Sequence, residues 1–331
     1  MKTGNAVLIL AAFVFNVIPD TEQTNWTYVY YPNGTKEDVD LTTEPEDLNH
    51  TETGLDSDVK FYLYTEYNQS TPAELLVNNS DSLSSSNFNA SNPTILIIHG
   101  WQNTFESDGS TTVRDGYLEI TGYNVIVVDW SIYSGKSYVT ARKNIVSVGK
   151  FIAEMIDYLE EEASLDTSAL TVVGHSLGAH IGGEACRSAT SKVANLVGLD
   201  PAGPLFYFVG TEARMTSDDA DFVEVIHTSA GRLGFNGNLG DVDYWPNGGL
   251  KQRGCGNDVL ATCAHSRAYL YYTESLKKNK FVARKCHSYL WYRLGLCGSK
   301  SKSTMGGKVL STSASGKYFL KTNKNSPFHR G

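Results

Sequence analysis

The sequence predicts an α/β protein built on a mostly parallel central sheet, and three observations carry that prediction. Short runs of β-branched and other apolar residues recur along the chain with little polar alternation, as expected of strands buried on both faces. Between several of these runs lie stretches whose apolar residues repeat every three to four positions, the period of a helix laid against a sheet. The composition, 41% hydrophobic and 19% charged over 331 residues, is that of an ordinary globular chain with one large core or two smaller ones, and argues against a disordered or membrane-embedded protein.

Taken in order, the chain opens on "MKTGNAVLILAAFVFNVIPD", where Lys2 precedes an apolar run from Ala6 to Ile18. As a helix that run would span only about 20 Å, short of a bilayer core, so residues 1–20 read as a cleaved secretory signal. Residues 21–56 are acidic and weakly apolar and read as a mobile leader ahead of a domain at 57–331. Asn25, Asn33, Asn49, Asn68, Asn78 and Asn89 each head an Asn-x-Ser/Thr triplet, and none occurs after Asn92, which predicts a glycosylated, extracellular front end.

Strands are expected at Val59–Thr65, Thr94–Gly100, Asn124–Trp130, Leu170–Gly174, Asn195–Asp200 and Phe222–His227. The serine-rich stretch 80–91 reads as a loop. Ile145, Val148, Phe151, Ile152, Met155, Ile156 and Leu159 give Tyr138–Ala163 helical periodicity, and helices are also expected after Ser176 and over Ala261–Leu276. From Ser275 onward the chain carries Lys and Arg without a single acid, although the whole molecule has a formal charge of −8. Such a block is either a solvated face or a surface for anionic headgroups.

The five cysteines suit two disulfides and one free thiol in a secreted chain. Cys255 with Cys263 and Cys286 with Cys297 are the sequence-local pairings, and Cys186 is the candidate for the buried free thiol. Spacing alone does not determine the connectivity.

The chemistry begins at Gly174-His-Ser-Leu-Gly178, placed between an expected strand and an expected helix. A tight turn there would expose the Ser176 hydroxyl as a nucleophile and aim the Leu177 N–H at a developing oxyanion. A serine nucleophile needs a base and an orienting acid, in the chain order Ser, Asp or Glu, His. Asp200 ends the next strand and fits the acid; Asp129 precedes the serine and fits badly. Among the histidines that follow Asp200, His227 closes a strand and His265 opens a helix beside Cys263, and the residues alone leave both open. His287 and His329 read as surface residues. The loop after Thr94–His99 offers Gly100 and the N–H of Trp101 as the second oxyanion donor.

With these motifs in place the chain resembles the pancreatic-lipase-like family, the lipase and phospholipase A1 group of secreted lipid hydrolases. The resemblance runs from about Val59 to the C-terminus through "VKFYLYT", "IIHGW", "VVDW", "GHSLGAHI", "GLDPAGP", "DADFVEVIHT", "PNGG", "CAHSRA" and "YFLKTNKNSPF". It implies the α/β-hydrolase fold, Ser176 as nucleophile, Asp200 as acid and His265 as base, with Trp101 and Leu177 at the oxyanion and His227 structural.

Departures from the family pattern refine the expectation. The sequence stops after the closing strand motif, so the C-terminal β-sandwich of two-domain lipases is expected to be absent. The lid between the cysteines matching Cys255 and Cys263 is reduced to "GNDVLAT", too short for a helical flap. The loop between His227 and Trp245 is also compact. The short lid and this compact loop resemble the phospholipase A1 branch, with a triacylglycerol lipase as the alternative, because short lids also occur in insect gut lipases. The implied partners are phospholipid or glyceride aggregates and membrane surfaces, for a monomeric secreted enzyme that binds no nucleic acid. In "EARMTSDDAD", where some members hold calcium, Thr216 replaces an acid and Asp219 remains, so no metal or other cofactor is expected. "LFYF" (205–208) is a candidate border of the acyl groove, with core packing as the alternative. A catalytically silent lipid-binding protein of the same fold is the remote alternative.

Overall fold

In the computed structural model, which describes residues 26–30, 35–40, 54–207, 210–298 and 301–330, the apolar runs become neighbouring strands of one mixed sheet. Two strands stand apart as an antiparallel hairpin, β1 (Trp26–Tyr30) and β2 (Lys36–Asp40). The sheet itself contains β3 (Lys60–Tyr64), β4 (Ala73–Leu75), β5 (Thr94–Ile98), β6 (Asn124–Asp129), β7 (Leu170–His175), β8 (Asn195–Leu199), β9 (Phe222–Ile226), β10 (Val242–Pro246), β11 (Val282–Lys285), β12 (Lys302–Thr304) and β13 (Gly316–Leu320). Its order is β12-β11-β13-β10-β9-β8-β7-β5-β6-β3-β4. The central run from β13 to β6 is parallel, and the antiparallel pairs lie at the two edges.

Parallel strands must be joined by crossovers. Those from β5 to β6, β6 to β7 and β7 to β8 run through α-helices, whereas those from β8 to β9 and β9 to β10 show no α-helix among the described residues. Helices cover both faces of the sheet. Ile145–Ala163 and Leu177–Ser188 pack on one face, where Leu96, Ile98, Ile126, Val128, Val172 and Leu196 point; Asp108–Leu118 and Thr262–Lys277 pack on the other, over Ile95, Ile97, Val125, Val127, Val173 and Val197. Alternate residues of each central strand therefore enter two separate cores. That is why β5 reads as an unbroken apolar run: all five of its residues are buried. The six expected strands and the expected sheet class are all present. β4, β10, β11, β12 and β13 are additional.

Three expectations change. The helix expected over 138–163 is two, Tyr138–Lys143 and Ile145–Ala163, parted at Asn144, whose side-chain amide donates to the Thr140 carbonyl at 2.7 Å in competition with the helix ladder. The serine-rich loop contains a short helix, Ser80–Ser84, capped by the Asn79 side chain. The stretch read as a mobile leader contains the β1–β2 hairpin, because one face of it, Val29, Glu37 and Val39, has somewhere to go. Both valines are buried in the main core, and a Glu37 carboxylate oxygen accepts the Tyr138 N–H at 2.9 Å. The signal segment, most of residues 21–56, and the sequon residues Asn25, Asn33 and Asn49 lie outside the described residues.

Of the remaining sequon residues, Asn78 and Asn89 are exposed. Asn68 differs. Its amide nitrogen donates to the carbonyls of Leu63 (2.9 Å) and Thr71 (3.3 Å), and its oxygen accepts from Thr65, so a glycan there would take the place of a structural hydrogen.

Candidate active site

The site lies where four parallel strands end side by side. β7 delivers Ser176, β8 delivers Asp200, β5 leads into Gly100 and Trp101, and β9 leads into Thr228 and Ser229. Ser176 has φ 58° and ψ −121°, a conformation a non-glycine residue rarely adopts, and the next residue begins the helix Leu177–Ser188. The flanking glycines are required by contact. A Cβ on Gly174 would lie 2.2 Å from the Gly178 carbonyl oxygen, and one on Gly178 would lie 2.3 Å from the Ile98 carbonyl oxygen. A Cβ on Gly100 would sit 2.8 Å from that of Ser176, so this glycine lets the β5 loop reach the serine.

Asp200 is wholly buried and heavily solvated by protein donors. Its carboxylate accepts from Thr228 N–H (2.7 Å), Ser229 N–H (3.0 and 3.1 Å), the Ser229 hydroxyl (2.5 Å) and His265 Nδ1 (2.6 Å). Burial alone would raise its pKa, but the hydrogen bond and charge of His265, together with Ser229, outweigh it and hold the carboxyl below the ordinary range. Gly234 leaves the room this needs, since a Cβ there would meet Asp200 Oδ1 at 2.5 Å.

His265 stands in the first turn of Thr262–Lys277. The Asp258 carboxylate caps that turn by accepting the N–H groups of Cys263 (3.3 Å) and Ala264 (2.8 Å). The His265 side chain is 12% exposed, against 0% for Asp200, so the pair has one buried end and one open end. Its ring lies 4.4 Å from that of His175. Burial, then the neighbouring His265 charge, pushes His175 down to about 3, so this second imidazole is neutral at working pH.

Ser176, His175 and His265 line one open cleft of about 580 Å³, together with Gly100, Trp101, Tyr138, Pro204 and Tyr269. Trp101 is fixed by its indole N–H on the Lys136 carbonyl (2.9 Å) and by an edge contact to Tyr138 at 5.3 Å. Leu177 is buried, and its N–H is among those at a helix start that have no partner within the helix. The structure thus brings Ser176, Asp200, His265, Trp101 and Leu177 to one place.

The rival residues are elsewhere. His227 is fully buried, paired with Asp243 at 2.8 Å and stacked on Trp245 at 3.9 Å. Asp129 pairs with His99 at 3.2 Å. His287 is exposed, whereas His329 is partly buried against Phe281, with Glu274 holding its backbone N–H at 2.8 Å; it is not a solvated tail residue. Leu205 and Phe206 enter the core, so core packing describes them, whereas Tyr207 is exposed and donates its hydroxyl to the Gly234 carbonyl. Phe208 lies outside the described residues. Ser229 was not legible as a site residue. Its only signal is a small polar residue just past a strand end.

Cys255 pairs with Cys263 and Cys286 with Cys297, while Cys186 is free and buried. At Asp219 a cation is already supplied by the chain. The Arg187 guanidinium donates to its carboxylate at 2.5 Å, and Thr216 adds its N–H (2.7 Å) and hydroxyl (3.0 Å).

A serine in a strained strand-to-helix turn, backed by a carboxylate–imidazole pair at the C-terminal edge of a parallel sheet, defines an α/β-hydrolase. Within that class, residues 26–328 match the family model described as Lipase, and the chain belongs to this family. It is 33% identical to human pancreatic lipase-related protein 3, over 88% of this chain and 67% of that protein. It is 34% identical to human pancreatic triacylglycerol lipase (78% and 58%) and 35% identical to rat lipoprotein lipase (75% and 58%). The chain therefore spans about three fifths of the length of these last two relatives. The human protein named inactive pancreatic lipase-related protein 1 is also 35% identical, so family membership and turnover are separate questions.

Proposed function

We propose that the protein is a secreted carboxylic ester hydrolase of glycerolipids, using Ser176, His265 and Asp200 as nucleophile, base and orienting acid, and that its preferred reaction is phospholipase A1 release of the sn-1 fatty acid. The observation that carries the catalytic reading is the Asp200–His265 hydrogen bond of 2.6 Å at the edge of the cleft lined by Ser176. His265 takes the Ser176 proton as the hydroxyl oxygen attacks the ester carbonyl. The N–H groups of Leu177 and Trp101 hold the tetrahedral oxyanion. The glycerol oxygen leaves with the proton from His265. Water then attacks the acyl-enzyme with His265 again as base, releasing the fatty acid and restoring Ser176. Asp200 keeps the Nδ1–H tautomer throughout.

The substrate preference is supported by the loop between Cys255 and Cys263. Of the loop residues 256–262, Thr262 at the C-terminal end alone lines the cleft, and 256–261 stand clear of it. The loop is tied to its side by Arg232, which donates to the Asp258 carbonyl at 2.8 Å and also bonds the Val259 carbonyl. A cleft without a flap suits a lipid whose polar headgroup stays in water. Secretion agrees with the two disulfides and with the signal-like start.

The test is hydrolysis of phosphatidylcholine labelled separately at its two acyl positions, beside triolein, with Ser176→Ala as blank. Release from sn-1 with little triolein cleavage is expected. Dominant triolein cleavage would replace phospholipase A1 by triacylglycerol lipase. Turnover surviving in pure Ser176→Ala would overturn the assignment of the nucleophile.

A further inference from the structure

Among the described residues, large apolar side chains that face water are unevenly spread. Val282, Leu290, Trp291, Leu294 and Leu296 are 43%, 62%, 51%, 62% and 59% exposed, all within one short stretch of chain. Four of them stand in the loop closed by the Cys286–Cys297 disulfide, on or just after the one-turn helix Tyr289–Arg293.

That helix sorts its residues by face. Tyr289 and Tyr292, three apart, point inward, each ring 6.0 Å from that of Phe319. Leu290, Trp291 and Leu294 are left outside. The turn Gly248–Gly249 accommodates the seat, because a Cβ on Gly248 would meet the Tyr289 ring at 2.5 Å. The same turn reaches the catalytic edge: the Gly249 carbonyl accepts the N–H of Ala230 at 2.8 Å, and Ala230 follows Ser229, which bonds Asp200. Inward tyrosines and a disulfide thus hold an outward apolar surface in a fixed shape, which is unusual for a monomer unless something covers it.

Charge indicates what covers it. Every one of the 36 Asp and Glu residues lies at or before Glu274, whereas 13 of the 28 Lys and Arg residues follow it. Lys285, Arg293 and Lys302 on and beside the loop are exposed, and among the described residues none of them forms an ion pair. An apolar loop that carries Arg293, with Lys285 and Lys302 on the adjoining strands β11 and β12 and a tryptophan among its apolar residues, matches the layered chemistry of an anionic lipid surface.

We propose that the Cys286–Cys297 loop is an interfacial anchor that seats the protein on anionic lipid, with Leu290, Trp291, Leu294 and Leu296 entering the headgroup–acyl boundary and Lys285, Arg293 and Lys302 meeting headgroup charge. The anchor deepens the reading of the chain as a glycerolipid hydrolase and rests on it for its purpose, but the binding step needs no turnover.

The experiment uses the full chain carrying Ser176→Ala, so that lipid is not consumed, and vesicles of phosphatidylcholine with or without phosphatidylglycerol. Sedimentation gives the partition coefficient, and tryptophan emission gives the environment of the indoles. The expected result is binding that is stronger on the anionic vesicles and weakened by salt, with a blue shift that Trp291→Phe reduces. Leu294→Ser and Trp291→Ser should each lower partitioning by about tenfold, the worth of one large side chain withdrawn from water. Arg293→Gln should lower it by about fivefold on anionic vesicles and leave pure phosphatidylcholine unaffected. In the wild-type background, the same variants should hydrolyse a soluble short-chain ester at the parental rate, which separates a lost anchor from a lost fold or a lost active site.

Vesicle binding unchanged in both serine variants would overturn the proposal, as would absence of vesicle binding altogether. Concentration-dependent self-association that Leu294→Ser abolishes, without vesicle binding, would assign the patch to a second copy of the chain and also overturn it. If soluble-ester hydrolysis is absent in the parent as well, the catalytic reading fails while the anchor is still decided by partitioning.

Discussion

Two histidine–carboxylate pairs end adjacent regions of the same sheet, and they differ in almost everything except distance. His265 and Asp200 are 2.6 Å apart, and His227 and Asp243 are 2.8 Å apart. Asp200 receives donors from Thr228 and Ser229 besides the imidazole, and its histidine opens onto the cleft that Ser176 lines. The Asp243–His227 pair has no exposed side. It stacks on Trp245, takes the Leu239 N–H at 3.0 Å, and leaves His227 Nδ1 and Asp243 Oδ2 without hydrogen bonds. A short imidazole–carboxylate bond is therefore not a catalytic signature by itself. What distinguishes the pair proposed to be catalytic is a fully satisfied carboxylate behind the ring and an accessible edge on the cleft that Ser176 lines.

The widest separation between the pairs should appear on removing each imidazole. His265→Ala is expected to lower kcat by about 10⁴–10⁶ with the melting temperature little changed. His227→Ala is expected to leave the kcat of the folded fraction within a few fold but to cost about 3 kcal/mol of stability, because it strands Asp243 in a sealed site. Ester hydrolysis paired with thermal unfolding of each variant measures both. Comparable kcat losses in the two would erase the distinction.

Asp200→Asn should follow, at about 10⁴ in kcat, since the amide cannot hold the Nδ1–H tautomer. Asp243→Asn should do so little to kcat that only urea unfolding registers it. Removal of the Ser229 hydroxyl is a finer probe. Ser229→Ala should cost about tenfold in kcat. It should also move the acid limb of the kcat/KM profile to higher pH, because a carboxylate with one donor fewer attracts the imidazolium more strongly. An unshifted profile would reduce Ser229 to packing.

A third buried carboxylate supplies the smallest effect and the opposite sign to Asp200. Glu224, on β9, is satisfied only at one oxygen, by the Gly306 N–H at 2.6 Å, and burial pushes its pKa from 4.5 up to about 8. The folded state thus holds a proton that the unfolded chain releases above 4.5, so stability from this group is present at low pH and lost as pH rises through about 8. Glu224→Gln should therefore gain stability relative to the parent at pH 9 and much less at pH 5, read as the difference in unfolding midpoint. A gain equal at both values would mean that Glu224 is charged in the fold.

Legibility in the sequence tracked how local each cause is. The elbow was readable because its constraint is steric and short in range: Gly174 and Gly178 are needed within five residues, by contacts that any side chain would break. The central strands β5 to β9 were readable because burial on both faces removes polar residues, whereas β10, buried at every residue, was not, because Asp243 and Pro246 interrupt its apolar run. The outer strands β4, β11 and β12 were not, since strands at or next to a sheet edge keep polar residues and show no such run. The hairpin was hidden by its acidic composition, because two inward valines suffice to dock ten residues.

By itself the sequence determined the fold class and singled out Ser176 and Asp200 as candidate nucleophile and acid and the two sequence-local cysteine pairings as candidate disulfides, all from neighbours within a few positions or from strand-end placement. Only the tertiary structure decided which histidine meets Asp200, that Ser229 supports it, that Arg187 neutralises Asp219, and that the Cys286–Cys297 loop turns its leucines outward while its tyrosines turn in. Each of these depends on segments far apart in sequence converging across a packed sheet, and convergence leaves no periodic mark along the chain.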